Sequence, residues 1–476
     1  WVFVPFYSRS MVYTMPEFLE RRYNPQSRTI LSVISLVSYV LTKVAVTVYA
    51  GGLVFQQVFG IKELWGIDFF WIAAIGLVVL TALYTIFGGM KSVLYTSVLQ
   101  TPILLLGSLI ILVLGFKELG GWDEMMRVCG AVTVNDYGDT MTNLIRSNDD
   151  ANFPWLGALI GSAIIGFWYW CTDQFIVQRV LSGKNEKEAR RGTIFGAYLK
   201  LLPVFLFLIP GMIAFALHQK YIGAGGEGFL PMLANGTANA DAAFPTLVAK
   251  LLPAGVKGLV VCGILAALMS SLASLFNSSA MLFTIDFYKR FRPETPEKKL
   301  VGIGQIATVV IVILGILWIP IMRSVGDVLY TYLQDVQSVL APGIAAAFLL
   351  GICWKRTSAQ GGMWGLIAGM VIGLTRLGAK VYYSNAGEVA DSTFKYLFYD
   401  MNWLFFCGWM FLFCIIVVIV VSLATEAPTA EKIQGLVFGT ATKKQKAATR
   451  ASWNHWDIIH TVIILAITAA FYWYFW

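Results

Sequence analysis

Charged side chains are scarce in this chain of 476 residues. Only 13% of the residues are Asp, Glu, Lys or Arg, whereas soluble globular proteins contain roughly 25%. Hydrophobic residues make up 58% of the chain, and its mean hydropathy is +0.70. This composition excludes an ordinary soluble protein and predicts a polytopic membrane protein whose surroundings are the lipid bilayer.

The sequence also has few residues of the kinds that bind transition metals or catalyse reactions. It contains three widely spaced histidines, and its six cysteines show no CxxC spacing. These patterns imply neither a zinc site nor a disulfide framework. Paired carboxylates and nucleophile–base spacings do not occur within the apolar runs, and the loops are too short for a catalytic domain. We therefore expect a protein that is not an enzyme and has no nucleic-acid partner.

Long apolar runs divide the sequence, and each is about 20 residues or longer. A chain embedded in lipid satisfies the hydrogen-bonding needs of its backbone N–H and C=O groups by forming helices or a closed barrel. Because the runs are continuous rather than alternating, the short strands of a barrel are excluded. The sequence therefore predicts an all-α polytopic membrane protein with eleven spans, at about 29–58, 68–88, 93–116, 154–178, 193–217, 258–284, 301–322, 326–350, 361–379, 401–424 and 456–476.

Positive charges predict the orientation, because cytoplasmic loops are enriched in Lys and Arg. One alternating set of connections is strongly basic, whereas the other is sparse in positive charge and rich in Gly, Asp and Asn. We therefore predict a cytoplasmic loop at 425–455 and extracytoplasmic loops at 117–152 and 218–245. The chain, 1–476, is predicted to form one multi-pass domain in the plasma membrane.

Small oxygen-bearing residues follow one face of the apolar segment 259–284. Ala267, Ser270, Ser271 and Ser274 fall at i, i+3, i+4 and i+7, so that they share one side of a helix. Small residues allow membrane helices to pack closely, which is one explanation of the pattern. The other is a cation site, because hydroxyls at membrane depth need partners and hard cations take oxygen ligands.

Residues 167–179, FWYWCTDQFIVQR, combine consecutive aromatic side chains with Thr, Asp and Gln. An aromatic belt at the membrane interface, followed by a polar helix cap, would explain them. The predicted orientation instead places Trp168, Tyr169 and Trp170 near the middle of the span. Aromatic faces beside amide and carboxylate groups suit a pocket for a sugar, an aromatic amine or a cation held over a ring. We favour a ligand pocket.

Ionisable side chains within membrane spans are costly, and they are functional candidates by default. A structural ion pair, or a lysine that reaches toward the interface, is the alternative explanation. For Lys200, which has no obvious local partner, we favour a function. The polar side chains concerned are Lys43, Asp173, Lys200, Gln334 and Asp335.

Six motifs run through nearly the whole chain: YTMPEFLERRYN (13–24), GGMKSVLYTSVLQ (88–100), WYWCTDQFIVQR (168–179), AYLKLLP (197–203), AALMSSLASLFNSSAMLFTIDFY (266–288) and YLQDVQSVLAPGIAAAFLLGICWKR (332–356). In this order they resemble the sodium:solute symporter family. Within that family they are most similar to the sodium/glucose and sodium/galactose cotransporters. WYWCTDQ and the surroundings of Lys200 resemble the sugar carriers more than the proline, pantothenate or iodide branches.

The resemblance implies a five-plus-five inverted-repeat transporter fold with extra peripheral helices and a substrate site between the repeats near the midplane. It implies sodium-coupled symport of a glucose- or galactose-like hexose by alternating access, with Na+ as the coupling ion. Sodium-coupled uptake of another polyol or organic solute, such as inositol or sialic acid, is an alternative. A sodium-dependent sugar sensor or channel is another. The expected partners are a small sugar and the lipid bilayer.

Position by position, the resemblance also implies two sets of site residues. Ala267, Ser270 and Ser271 correspond to sodium ligands. Tyr169 corresponds to the aromatic residue that closes the sugar off from the cytoplasm, and Trp170 to its neighbour. The other implied substrate-binding residues are the hydrogen-bonding Lys200 and Gln334, the outer-gate Tyr330 and the pocket-lining Tyr39.

The chain departs from the family pattern at its start and at position 97, and Gly166 stands where a galactose carrier of the family has a sugar-binding Asn. Because it starts at Trp1, we expect the leading peripheral helix, the first core helix and most of the second to be absent. These helices carry further sodium and sugar ligands, so this chain is expected to hold about half of each site. Ser97 stands where the family usually has Asp in a YTD-x-x-Q motif, and that Asp is linked to sodium release toward the cytoplasm.

Overall fold

A computed structural model of the protein describes residues 1–10, 12, 14–233, 236–325, 328–386 and 390–475. Within these ranges, side chains are described except at 84, 86–94, 96, 99 and 323–325. The described chain is almost entirely helical, which confirms the predicted all-α class. Its β-strands within these ranges are the two-residue segments Glu63–Leu64 and Ile67–Asp68, which pair antiparallel.

Local sequence sets several of the helix boundaries. Asn24 begins α3 by accepting a hydrogen bond from the backbone N–H of Ser27 at 2.8 Å, and Pro25 follows as the first helical residue. Gly60 ends α4 in a left-handed conformation, with φ 66°. The helices are α1 (Phe3–Ser10), α2 (Met15–Arg22), α3 (Pro25–Ser38), α4 (Ala45–Phe59), α5 (Phe69–Leu119), α6 (Trp122–Gly130), α7 (Trp155–Phe167), α8 (Gln174–Leu181), α9 (Glu186–Pro203), α10 (Ile209–Gly223), α11 (Ala243–Leu251), α12 (Ala254–Met281), α13 (Lys289–Phe291), α14 (Glu297–Val325), α15 (Leu329–Cys353), α16 (Ala359–Asn385), α17 (Thr393–Lys395), α18 (Trp403–Ala424), α19 (Ala430–Ile433), α20 (Lys443–Ala451) and α21 (His455–Tyr474).

Wider π-helical turns continue several of these helices. Turns of this kind are rare and occur frequently at functional sites. Two of them contain predicted site residues, namely Tyr39 in one turn and the pair Tyr169 and Trp170 in another. In the described ranges the π-helical turns are Tyr39–Val44, Trp168–Thr172, Val204–Leu208, Leu282–Tyr288 and Tyr396–Asp400.

Ten helical segments of the described chain are long and apolar enough to cross a membrane, which confirms a multi-pass membrane protein. Most coincide with predicted spans, because a length of about 20 apolar residues is what the bilayer requires. The segments are Pro25–Phe59, Gln100–Leu119, Trp155–Thr172, Glu186–Gly223, Ala254–Phe291, Glu297–Met322, Leu329–Cys353, Ala359–Asn385, Trp403–Ala424 and His455–Tyr474.

The predicted spans 68–88 and 93–116 are not separate helices in the structure. Both belong to α5, a continuous helix of 51 residues, which at about 1.5 Å per residue is roughly 77 Å long. The apolar stretches Phe69–Leu83 and Gln100–Leu119 both lie within this helix. The residues between the two apolar runs, GMKS at 89–92, contain no proline, so they do not remove a helical hydrogen bond.

The chain divides into two compact units, and the first comprises Trp1–Thr42, Asn148–Gly196 and Ser278–Ala466. In this unit α15 packs against both α16 and α18. A Cβ atom on Gly343 of α15 would lie 2.8 Å from the Cα of Gly369 of α16. Glycine at these positions therefore allows the two helices to approach closely, as small residues do in membrane proteins.

The second unit comprises Lys43–Ser147, Ala197–Asn277 and Ile467–Trp476. In this unit α4 packs against α5 and α11, while α10 packs against α5, α6 and α11. Ile111 of α5 and Ile213 of α10 are completely buried in its core. Aliphatic packing of this kind holds the polar residues of α5 and α12 in defined positions.

Candidate sodium and substrate sites

The predicted hydroxyl stripe lies on α12, in the second unit. Ala267, Ser270 and Ser271 are half-buried, whereas Ser274 is completely buried. Ser274 Oγ donates a hydrogen bond to the carbonyl oxygen of Ser270 at 3.0 Å, within the same helix. The Ser274 hydroxyl is therefore used in a hydrogen bond to the backbone of its own helix. The side-chain oxygens that the predicted set offers to a ligand are those of Ser270 and Ser271.

Ser97 of α5 meets this stripe from the neighbouring helix. The Oγ atoms of Ser97 and Ser270 are hydrogen-bonded at 2.6 Å, although the residues are 173 positions apart in sequence. The carbonyl of Ser97 also accepts a hydrogen bond from Thr101 Oγ1 at 2.8 Å. The residue that departs from the family pattern thus contacts an implied sodium ligand directly.

The chemistry of this cluster suits a hard monovalent cation better than a transition metal. Hydroxyl and carbonyl oxygens are hard ligands, whereas transition metals are held by imidazole and thiolate groups. In the described part of the chain, no three His, Cys, Asp or Glu side chains come together in a group that could hold a metal ion. Ser270 and Ser271 therefore form a candidate cation site built from neutral oxygens.

The helix that carries the aromatic segment breaks at Asp173, in the first unit. The π-helical turn Trp168–Thr172 ends there, and Asp173 has an extended backbone with φ −76° and ψ 123°. Its Oδ1 accepts a hydrogen bond from the N–H of Phe175 at 3.1 Å and so caps α8. Tyr39 Oη donates to the same Oδ1 at 2.9 Å and accepts from Phe175 N–H at 3.0 Å. Tyr39 and Asp173 therefore hold a broken helix of the kind that lines cavities in transporters.

A small cavity lies beside this break and has room for about one water molecule. Ser38 Oγ lines it, is buried and finds no hydrogen-bond partner among the described residues. An ordered water in this position would satisfy that hydroxyl. The cavity is too small for a sugar. Its lining residues are Leu31, Ser35, Ser38, Tyr39, Trp168, Thr172, Asp173 and Ile344.

Tyr169 and Trp170 present adjoining aromatic surfaces in the first unit. Their ring centroids lie 5.1 Å apart with an interplanar angle of 88°, an edge-to-face arrangement. Trp170 is 51% exposed, whereas Tyr169 is half-buried. Trp168, one residue earlier, is 3% exposed and belongs to the core. The aromatic segment therefore supplies both a packing residue and two rings that a ligand can reach.

Gln334 and Tyr330 lie one turn apart on α15. Gln334 Nε2 donates a hydrogen bond to Tyr330 Oη at 3.2 Å. Tyr330 is 57% exposed and Gln334 is half-buried. An amide supplies both donors and an acceptor, and a phenol supplies one donor, so the pair can bind a ligand that carries several hydroxyls.

Asp335 follows Gln334 in sequence, but its carboxylate is surrounded by cationic side chains of α16. Its carboxylate forms an ion pair with Lys380, and Arg376 lies 3.8 Å from its Oδ1. Arg376 in turn donates to the carbonyls of Leu397 and Met401 at 3.2 and 2.6 Å. Asp335 neutralises the buried Arg376 and the half-buried Lys380 of α16, which favours the structural explanation of this side chain over a functional one.

The two lysines within predicted spans differ in burial. Lys43 lies in the π-helical turn Tyr39–Val44 and is 8% exposed. Lys200, on the last turn of α9, is exposed in the second unit. The position of a residue along an apolar run therefore does not determine which side of its helix is covered. An exposed ammonium group is accessible to a ligand.

An ion-pair cluster in the first unit was missed in the sequence. Arg28 lies 2.5 Å from Asp286 Oδ1 and 2.6 Å from Glu20 Oε2. Thr14 Oγ1 also donates to Asp286 Oδ1, at 3.0 Å, and Asp286 is completely buried. An acidic residue just after an apolar run was the available signal. Its partners lie 258 and 272 residues away, so the sequence alone could not identify them.

The predicted site residues are divided between the two units. Those of the second unit are Lys200 and the three implied sodium ligands, of which Ser270 contacts Ser97. Those of the first unit include two contacting pairs, Tyr169 with Trp170 and Gln334 with Tyr330, together with Tyr39.

Comparisons of the sequence with known proteins give consistent results. The family model described as the sodium:solute symporter family matches residues 1–369. A sodium/mannose cotransporter of Bos taurus is 36% identical over all of this chain and 82% of its own length. Sodium/myo-inositol cotransporter 2 of Homo sapiens is 35% identical over 92% of this chain, and sodium/glucose cotransporter 1 of Ovis aries is 37% identical over 90%. The chain spans only 66% of the length of these last two relatives.

The fold also matches a solved structure. That structure is of a Na+-coupled sialic acid symporter in a substrate-bound, outward-open state. The TM-score is 0.67, with 21% sequence identity over 90% of this chain and 80% of the other. The described helices thus have the fold of a sodium-coupled symporter, as the resemblance implied.

Proposed function

Because the chain belongs to the sodium:solute symporter family, we propose that it couples sodium entry to uptake of a sugar or a closely related polyol. The carrying observation is its similarity to sodium/mannose, sodium/myo-inositol and sodium/glucose cotransporters over at least 90% of this chain. The named solutes of all three relatives are small, neutral and polyhydroxylated. We propose the same substrate class here, with the plasma membrane as the site of transport.

Sodium is held in this proposal by the oxygens of Ala267, Ser270 and Ser271. The backbone carbonyl of Ala267 and the two hydroxyls supply hard ligands that match Na+. The hydrogen bond between Ser97 and Ser270 orients one of these hydroxyls from α5. Sodium binding therefore acts on two helices of the second unit at once, because its ligand is hydrogen-bonded across them.

The sugar is bound in this proposal by hydrogen bonds and by aromatic contact. Gln334 and Tyr330, already hydrogen-bonded to each other, bind sugar hydroxyls from α15, and Lys200 donates from α9. Tyr169 and Trp170 cover the apolar C–H face of the ring. These groups distinguish a polyol by the number and direction of its hydroxyls, since an unpaired buried donor costs about 1–3 kcal/mol.

Tyr39 contributes to the sugar site in a more restricted way. Its hydroxyl donates to Asp173 and accepts from Phe175 N–H, so both directions of hydrogen bonding are in use. We propose that its ring packs against the site while its hydroxyl maintains the break between Trp168–Thr172 and α8. Tyr39 is then a positioning residue for the aromatic segment.

Coupling to sodium would provide enough free energy to concentrate the substrate. A tenfold sodium gradient and a potential of 100 mV together supply about 3.7 kcal/mol per sodium ion. That is enough to accumulate a neutral sugar roughly 500-fold with one ion per cycle. Alternating access then requires only that the empty and doubly occupied states exchange sides more readily than the singly occupied ones.

A second candidate substrate, a cyclic polyol, is favoured by the similarity to sodium/myo-inositol cotransporter 2. Competition separates the two. Purified protein is reconstituted in liposomes, and uptake of labelled glucose driven by an inward sodium gradient is measured with excess unlabelled mannose, galactose, myo-inositol or sialic acid. If the substrate is a hexose, mannose or galactose should compete more strongly than myo-inositol; if it is a cyclic polyol, the order should be reversed. Sialic acid should not compete in either case. Uptake that does not depend on sodium, or that stops at equal concentrations inside and outside, would contradict symport and favour a channel or a sensor.

A further inference from the structure

A basic cavity lies where the segment after α18 returns to the first two helices, within the first unit. Its volume of about 410 Å³ falls in the range of sites for small molecules or their headgroups. It is lined by Arg9, Ser10, Arg21, Glu431, Lys432, Gln434, Gly435, Leu436 and Gln445. The residues come from α1, α2, α19, α20 and the segment between the last two helices, so the cavity joins elements that are far apart in sequence.

Positive charge dominates this cavity. Arg9 Nε donates to the carbonyl of Pro5 at 2.9 Å, and Lys432 Nζ donates to the carbonyl of Glu20 at 3.0 Å. Both groups are thus held by neutral oxygens, and among the described residues neither forms an ion pair. Arg21 is paired with Glu17 at 2.6 Å, which leaves Glu431 as the opposing charge in the lining.

Further basic residues adjoin the cavity. Gln445 lines it from the first turn of α20, and that helix contains no acidic residue. Its basic side chains are exposed, and α20 is followed after three residues by α21, a membrane-span candidate. A cluster of four to eight Lys or Arg residues next to a membrane span is typical of contact with anionic lipid headgroups. The basic residues of α20 are Lys443, Lys444, Lys446 and Arg450.

We propose that this cavity binds the phosphate of an anionic phospholipid headgroup. The guanidinium of Arg9 and the ammonium of Lys432 bind the phosphate oxygens with donors that their carbonyl contacts leave over. The amides of Gln434 and Gln445 bind hydroxyls of the headgroup. The lipid then attaches the 430–451 segment to α1 and α2 and stabilises this end of the first unit, whichever solute the protein carries.

Ligand-dependent stability in detergent tests the proposal. Thermal unfolding of the purified protein is followed by tryptophan fluorescence with dioctanoyl phosphatidylglycerol, dioctanoyl phosphatidylcholine or inorganic phosphate. A ligand that binds only the folded state raises the unfolding temperature, by about 3 °C or more near saturation. Of the three ligands, we expect only phosphatidylglycerol to produce this rise. The double variant Arg9→Gln/Lys432→Gln should bind phosphatidylglycerol at least tenfold more weakly than the wild type.

Matched variants make the result specific. Arg127→Gln removes the same charge from α6, where Arg127 is paired with Glu124, and should bind phosphatidylglycerol like the wild type. Lys432→Gln alone should bind more weakly than the wild type, which keeps the test available if the double variant does not fold. An equal rise with phosphatidylcholine or with inorganic phosphate would overturn the lipid assignment. An unchanged rise in the variants, or no rise in the wild type, would overturn the site.

Discussion

Ser97 and Ser270 are hydrogen-bonded through their side chains, with 2.6 Å between the two Oγ atoms. The contact joins α5 to the hydroxyl stripe of α12. Most members of the family are expected to have a carboxylate in place of the Ser97 hydroxyl, so this chain surrounds the proposed sodium ligand with neutral oxygens. The strength of sodium binding should therefore respond directly to charge at position 97.

Ser97→Asp should tighten sodium binding. A carboxylate about 4 Å from the ion attracts it by about 4 kcal/mol at an effective dielectric constant of roughly 20, and the cost of burying the new charge offsets part of this. We expect the sodium concentration for half-maximal uptake to fall about tenfold. Ser97→Asn has a similar shape without the charge and should leave it nearly unchanged. The same response in both variants would show that Ser97 does not face the ion.

Ser271→Ala should weaken sodium binding while the protein still folds. The change removes one proposed ligand and leaves a residue of high helix propensity. We expect the sodium concentration for half-maximal uptake to rise about tenfold or more. Ser274→Ala is the matched control, because Ser274 is buried and donates to the Ser270 carbonyl. It should lower stability by about 1 kcal/mol with a smaller effect on sodium. Unchanged sodium activation in Ser271→Ala would favour close packing as the reason for the stripe.

Gln334→Ala should weaken sugar binding and leave sodium binding nearly unchanged. Each sugar hydroxyl that loses its hydrogen-bond partner costs about 1–3 kcal/mol of binding free energy. This corresponds to a loss of affinity of roughly 10- to 100-fold. Tyr330→Phe removes only the phenol that accepts from Gln334, so a smaller loss is expected. Equilibrium binding of labelled sugar, together with sodium binding in its absence, separates the two effects. Wild-type sugar affinity in both variants would place the sugar elsewhere.

Lys200→Ala provides an independent test from the second unit. If the ammonium donates to the sugar, its removal should weaken sugar binding by about tenfold or more, with little loss of stability because the side chain is exposed. Lys220→Ala is the control, since Lys220 is an exposed lysine on α10 that donates to the Leu119 carbonyl. Equal sugar affinity in the two variants would exclude Lys200 from the site.

The two roles of Tyr169 can be separated by comparing Phe with Ala. Phe keeps the ring that contacts Trp170 edge-to-face and loses only the phenol hydroxyl, so Tyr169→Phe should retain substantial transport. Tyr169→Ala removes both the contact with the sugar and the barrier to its release, and should abolish accumulation. Equal and severe losses would indicate a hydrogen-bonding role instead. Full activity in both variants would remove Tyr169 from the transport pathway.

The sequence predicted most of the membrane architecture because span length is a property of the bilayer that local composition reports. It could not predict that 68–88 and 93–116 form one helix, since hydropathy does not report whether backbone hydrogen bonding continues across GMKS at 89–92. Asp173 was recognised as a polar residue at the end of an aromatic run. Its attachment to Tyr39, 134 residues earlier, depends on how the helices pack.

The candidate site shows the same limit at the level of single residues. The family resemblance implied Ser270 as a sodium ligand, but its partner Ser97 lies 173 residues away and is identified only by the fold. Lys200 and Asp335 looked alike in sequence as charges within apolar runs. The structure exposes Lys200 and pairs Asp335 with Lys380. The chemistry of each side chain could therefore be predicted from the sequence, whereas its solvent exposure and its interaction partners could not.

Reciprocal coupling tests the account most directly. Liposomes containing the purified protein are prepared with equal radioactive sodium on both sides, and a sugar gradient is then imposed from outside. Because sodium and sugar cross together in a symporter, downhill sugar entry should drive sodium above its equilibrium level until the sugar gradient is spent. Ser271→Ala should reduce this transient accumulation. Sugar entry without any movement of sodium would contradict the account.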